Sequence, residues 1–379
     1  MGVNKKGGLV GGFDQLRAPN APTISVATAD SGELAVTITN PSDTGGGDIT
    51  GYAVSALTGP VEDTTFAVTV VSAGGNKYAI DGGYYSIRGI FAGGATDGGS
   101  VNVIDYVDIS TAGNATDFGD LSTATDKGMS FSSGTRGVFA GGNVSNSDND
   151  KIHYITIAST GDVTDFGDLS AQRERGSGLS NDTRGVVGNG YNGSSEVNIL
   201  EYVTIASTGN VTDFGDSTDD RRECACCQST TRGIWGGGGD TRVDIIDYIT
   251  IASTGNATDF GDTLAAIKQL TGLSNSTRGV FGGGTTTGGY QNVMQYITIA
   301  STGNATDFGD LNSIVVTATA TASKTTGLFA GGYVSAGRIN VIDYITIAST
   351  GNATDFGDLT LARNSLFQGM VSAAHGGLS

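Results

Sequence analysis

Few side chains in this chain are suited to making or breaking bonds. Its 379 residues include two histidines, His153 and His375, and three cysteines, Cys224, Cys226 and Cys227. The cysteines form one cluster, "ECACCQ". A zinc site usually draws four ligands from two spaced pairs, and neither histidine stands in such a pattern with them. By register with the preceding repeat they replace Gly176, Gly178 and Leu179, so they read as small packing residues, reduced in a cytoplasm-like compartment. Asp-Phe-Gly signals magnesium-dependent phosphoryl transfer only beside a His-Arg-Asp loop and a Val-Ala-Ile-Lys strand. Here it occurs six times with neither. It reads as a structural turn in which Asp accepts backbone N–H groups and Phe fills a gap between repeats. The loop Asn143–Lys151 offers Asp148 and Asp150 to calcium but lacks the glycine and bidentate glutamate of a full calcium loop. The expectation is a protein that is not an enzyme, with no catalytic residue, metal or cofactor.

The charge balance narrows the partners. Lys and Arg number 20 against 38 Asp and Glu, a net −18. Nucleic acid and anionic lipid surfaces require clustered Lys and Arg, so neither is expected. No stretch approaches the roughly 20 apolar residues of a membrane helix, and the opening Met-Gly-Val-Asn-Lys-Lys lacks a signal peptide's apolar run. All four prolines fall by Pro60, which divides the chain. Residues 1–18, Gly-rich and basic, read either as a disordered tail or as an extended arm that orders only against a neighbouring subunit; the arm's anchoring residues are Lys5, Lys6, Phe13 and Arg17. Residues 19–82 alternate like short strands. The stretch "APTISVATADSGELAVTITNPSDTGGGDITGYAVSAL" resembles the first half of a fibronectin type III domain, which implies a small β-sandwich-like spacer.

Residues 83–379 are built from repeats. Asp-Phe-Gly-Asp begins at Asp117, Asp165, Asp213, Asp259, Asp307 and Asp355, in steps of 48, 48, 46, 48 and 48. Tyr106, Tyr154, Tyr202, Tyr248, Tyr296 and Tyr344 keep the same steps. An arginine slot runs through Arg88, Arg136, Arg184, Arg232 and Arg278, with Thr326 sixth. Each unit holds about four strand-like runs and no helical period, the pattern of a β-propeller. Six units predict six blades. The first lacks an inner strand, and Leu361–Gly377 is expected to supply it beside Arg88–Gly94, removing the open edges. The alternative donor is Val68–Gly82.

Alternating strand directions put loops after the first and third strands on one face and loops after the second and fourth on the other. The first face is nearly uniform, with "STRG" and "ASTGNATD" turns. The second differs in every unit, which suggests recognition there. Tyr and charged side chains in its loops, read as exposed, are the candidate contacts: Asp97, Asp148, Tyr191, Glu196, Arg242, Tyr290, Tyr333 and Arg338.

The strand order, with its Gly-Gly, Tyr-bearing and outer aromatic strands, resembles the kelch repeat, with Phe308 in place of the usual outer tryptophan. The unit "TRGVFGGG…NVIDYITIASTGNATDFGDL" resembles repeat proteins of marine bacteriophages of the cyanophage type. That resemblance implies a virion component, assembled in the bacterial cytoplasm: a tail fibre, a tail-associated protein or a capsid appendage. It also implies other virion proteins as partners of the arm, a host surface glycan or protein as partner of the varied face, and possible homo-oligomers. The alternative is an architectural protein whose propeller packs on other virion subunits.

Overall fold

The computed structural model describes residues 87–378 together with four earlier strands, Thr23–Thr28, Leu34–Thr39, Ala67–Val71 and Lys77–Asp81. The chain divides into two units, residues 1–85 and 86–379. In the first, Thr23–Thr28 pairs antiparallel with Leu34–Thr39, and Ala67–Val71 with Lys77–Asp81. Most of the fibronectin-like stretch lies outside the described residues, as do Lys5, Lys6, Phe13 and Arg17.

The second unit is a six-bladed β-propeller with no helix among its described residues. Blade 2 shows the plan, with antiparallel strands Met129–Ser132, Arg136–Ala140, Lys151–Thr156 and Thr164–Asp168 running from axis to rim. The sequence dictates this order by size. Inner strands crowd round the axis, so they carry small or compact residues, as in Thr319–Ala322 and Ala225–Gln228, and are buried throughout. The outer strand buries one side chain, the Phe of Asp-Phe-Gly-Asp. That Phe meets the Tyr of its own blade edge-on in all six blades, with centroids 5.9–6.2 Å apart, a favoured aromatic geometry.

Three sets of repeated bonds sew the blades together. Arg136 donates from Nη1 to the Ile205 carbonyl of the next blade at 3.0 Å. Arg88, Arg184, Arg232 and Arg278 do the same at 2.9–3.0 Å. Each of these guanidiniums also lies over its own blade's Tyr ring, 4.3–4.6 Å from the centroid, a cation–π contact. At the rim, the Asp168 N–H donates to Asn210 Oδ1 of the next blade at 3.1 Å, a bond made at all six seams. The third set links the same two segments through the backbone, as from Val211 N–H to the Asp168 carbonyl at 3.0 Å. These bonds correct one expectation. Asp-Phe-Gly-Asp lies in a strand, not a turn, and its second Asp both donates its backbone N–H to the neighbouring turn and accepts one through its carbonyl, because the Asn or Asp of that turn is the available acceptor. The glycine is required: at Gly167, φ is 154° and a Cβ would overlap the Gly209 carbonyl of the next blade.

Blade 1 has three strands of its own, Arg88–Ala92, Val103–Asp108 and Thr116–Asp120. The last segment completes it. Ile90 N–H donates to the Val371 carbonyl at 2.9 Å and Ala95 N–H to that of Asn364 at 2.8 Å. The alternative donor, Val68–Gly82, lies partly outside the described residues, and the place is filled by the Leu361–Gly377 segment. The segment pairs through isolated bridges, not a continuous strand, because it also serves the axis. The hydroxyls of Ser130 and Ser132 donate to the carbonyls of Gly369 and Ser372, at 3.0 and 2.8 Å. Thr319 and Thr321 reach those of Phe367 and Val371, at 2.7 and 3.0 Å. Met370 and His375 are fully buried. The segment is thus both inner strand and axial plug.

Candidate functional site

The links from each outer strand to the next inner strand converge at the axis on the variable face. Each passes through one residue with positive φ: Lys127, Arg175, Glu223, Gln269, Thr317 and Ser365, at 54–62°. In that left-handed turn the N–H points to one neighbouring link and the carbonyl to the other. Lys127 N–H donates to Ser365 O, Arg175 to Lys127, Glu223 to Arg175, Gln269 to Glu223, Thr317 to Gln269 and Ser365 to Thr317, at 2.7–3.0 Å. Six backbone hydrogen bonds therefore close a ring around the axis. Its side chains surround an open cavity of about 160 Å³, with Leu270 and Leu366 also lining it.

Half of this hub is charged. Arg175 bridges Glu174 at 2.8 Å and Glu223 at 2.7 Å. Lys127 lies 3.5 Å from Asp126 and 3.6 Å from Glu174. Burial raises the Asp126 carboxyl above its ordinary value, against the pull of Lys127. The other half is neutral. There Asn364 Nδ2 donates to Thr317 Oγ1 and Ser365 Oγ, both at 3.1 Å.

The eight contact candidates lie farther out, on the loops joining second and third strands. Only Asp97 and Tyr290 are exposed; the other six are half-buried, because the loops fold down onto neighbouring links. Arg338 joins Asp97 across the seam between blades 6 and 1 and donates to Asn364 Oδ1 at 2.8 Å. Its guanidinium is 5.9 Å from the Tyr333 ring. Arg222 gathers Tyr191, 5.0 Å away, and Glu196, 3.5 Å away. Arg242 spans to the Thr285 carbonyl at 3.1 Å. Asp148 accepts from Asn143 Nδ2 at 3.2 Å, and burial, with Glu174 nearby, raises its carboxyl. The structure thus groups Asp97 with Tyr333 and Arg338, and Tyr191 with Glu196. It leaves Asp148, Arg242 and Tyr290 separate. Lys151, at the end of the would-be calcium loop, pairs with Asp150 at 3.1 Å and Asp168 at 2.7 Å.

The hub residues were not singled out from the sequence, although a signal existed. They recur in steps of 48, 48, 46, 48 and 48, as a column that is polar in every repeat and never the same twice. A second missed feature lies beneath the loops. Arg173, Arg221 and Arg363 form buried ion pairs with Glu201, Asp247 and Asp105. A bulge before each of these carboxylates turns it inward. The other three blades carry Thr125 with His153, Ile267 with Gln295 and Val315 with Asp343 at these positions. Burial raises the Asp343 carboxyl, which holds Asn312 Nδ2 at 2.7 Å.

The cysteine cluster lies on or beside the inner strand Ala225–Gln228 and is buried. Cys226 Sγ donates to the Gly178 carbonyl at 3.0 Å, and burial pushes its thiol up to about 12. Such thiols stay protonated and unreactive. Among the described residues no three His, Cys, Asp or Glu side chains are grouped to hold a metal ion.

No protein-family model matches the chain, and no curated protein matches it.

Proposed function

We propose that the chain is a structural protein of a bacteriophage virion, and that its propeller uses the variable face to recognise a bacterial surface. The observation that carries the recognition role is the contrast between faces. One presents the same turns around the ring, and its bonds hold blades together. The other carries a closed polar hub and a rim of different loops on an equally regular frame. The virion assignment rests on the resemblance of the 48-residue unit to marine phage repeat proteins, and the kelch-like description on strand order. The reading includes no enzymatic step. The arm, with Lys5, Lys6, Phe13 and Arg17, is the proposed attachment to other virion proteins.

The second reading, an architectural propeller packed on neighbouring subunits, is favoured by the low exposure of six of the eight rim candidates. Immunogold labelling of intact particles separates the two. Antibodies against the Tyr290 and Tyr333 loops should decorate particles if the face looks outward. Labelling of disrupted particles alone would favour the architectural reading, and labelling of neither would remove the protein from the virion. Deleting residues 1–17 should leave a soluble propeller that no longer joins particles.

A further inference from the structure

The hub positions keep side chains where the backbone favours glycine. Elsewhere in the repeat, positive φ falls mostly on glycine, as at Gly141–Gly142 and Gly331–Gly332. A left-handed conformation is unfavourable for an L-residue and is least tolerated by a β-branched one such as Thr317. Only backbone atoms make the ring of hydrogen bonds, so six glycines would serve it as well. Instead the six are Lys, Arg, Glu, Gln, Thr and Ser. A strained residue retained at an open cavity points to a role for its side chain.

One of these side chains keeps an oxygen without a hydrogen bond. The Glu223 side chain is 10% exposed, and its Oε2 accepts no hydrogen bond. The nearest cation to that oxygen is Lys268, 3.9 Å away. A buried carboxylate oxygen without a donor is unfavourable, and a ligand O–H or N–H would relieve it.

Charge narrows the ligand. Lys127, Arg175 and Lys268 face Asp126, Glu174 and Glu223, three against three, so the cavity holds no surplus cation for an anion. The neutral wall of Gln269, Thr317 and Asn364 can both donate and accept, and Leu270 and Leu366 add an apolar patch. The cavity has room for roughly five waters at their liquid volume, the space of one small ring. We propose that the hub binds one neutral, polyhydroxylated sugar ring, with Glu223 accepting from one hydroxyl. This deepens the recognition reading and rests on the variable face being the one that binds.

Saturation-transfer NMR on the full chain tests it, with neutral hexoses, an N-acetylhexosamine, a uronic acid and a glycan ending in the best-bound sugar. At least one neutral sugar should receive transfer, and the uronic acid should bind at least about tenfold more weakly. Gln269→Gly and Thr317→Gly keep the backbone ring and relax it, so their melting temperatures should hold or rise. Their sugar affinity, and that of Glu223→Gln, should fall about tenfold, which is the loss of about one ligand hydrogen bond. Binding of both free sugar and glycan end would assign a surface glycan; binding of the free sugar alone would keep the site and assign a soluble ligand. No transfer to any neutral sugar, tighter binding of the uronic acid, or glycine variants that bind like the parent would overturn the proposal. If Tyr290→Ala and Tyr333→Ala abolish cell binding while the hub binds no sugar, the hub proposal fails and the recognition reading stands.

Discussion

The two faces of the propeller solve one problem in opposite ways. On the uniform face side chains join the blades, so residue types repeat: an arginine over a tyrosine, an asparagine or aspartate capping the neighbour's outer strand. At the hub of the variable face a backbone ring joins the blades, so side chains need not repeat and differ in every unit. Where side chains carry the seam, variation is costly; where the backbone carries it, variation is tolerated and side chains can serve a ligand.

The largest break in this comparison should come from the segment that serves both faces. Removing residues 361–379 strips blade 1 of its inner strand and the axis of its plug. The ring should lose cooperative unfolding and aggregate, which calorimetry and light scattering would show. A single change, Gly369→Ala, should destabilise strongly, since φ is 128° and a Cβ would overlap the Ser130 carbonyl.

The buried ion pairs offer a comparison inside the chain. Arg221→Ala leaves Asp247 buried without its cation, a loss of about 3–5 kcal/mol, read by chemical denaturation. The double change Arg221→Ile with Asp247→Gln copies the pairing of Ile267 with Gln295 and should recover most of that loss. If the double variant is no more stable than the single, the blades are not equivalent at this layer.

The plug also carries a pH dependence. His375 is buried; its Nε2–H donates to the Ser132 carbonyl at 3.1 Å, and its Nδ1 accepts from Gly377 N–H and Gln228 Nε2, both at 3.1 Å. Burial lowers its pKa from 6.5 to about 4. Between those values the unfolded chain takes up the proton first, so stability is full above pH 6.5 and falls by about 3 kcal/mol as pH drops through 4. His375→Gln should remove that part of the acid sensitivity.

Smallest is the staple. Arg136→Ala removes one half-buried bond and its cation–π contact, about 1 kcal/mol. Thr326→Arg, which supplies the arginine that blade 6 lacks, should raise the melting temperature slightly.

The blade number, the arginine slot and closure by the last segment were legible because each leaves a residue type at a fixed period. The hub was hidden because its defining feature is a backbone angle, and Lys127, Glu223 and Thr317 share only polarity. The ion pairs were hidden by separation: Arg173 and Glu201 lie 28 residues apart and only three blades keep the pair. The plug was read as a strand because Leu361–Gly377 has inner-strand composition; its bonds to several blades follow from its place on the axis.

Binding of the labelled full chain to host cells tests most directly whether the variable face recognises and the uniform face builds. One variant carries Tyr290→Ala, Tyr333→Ala and Arg338→Ala; a second carries Thr160→Lys, Thr208→Lys and Thr254→Lys on exposed turns of the uniform face. Both should fold. The first should lose most of its cell binding and the second should bind like the parent. Equal binding by all three, or loss in the second alone, would contradict the account.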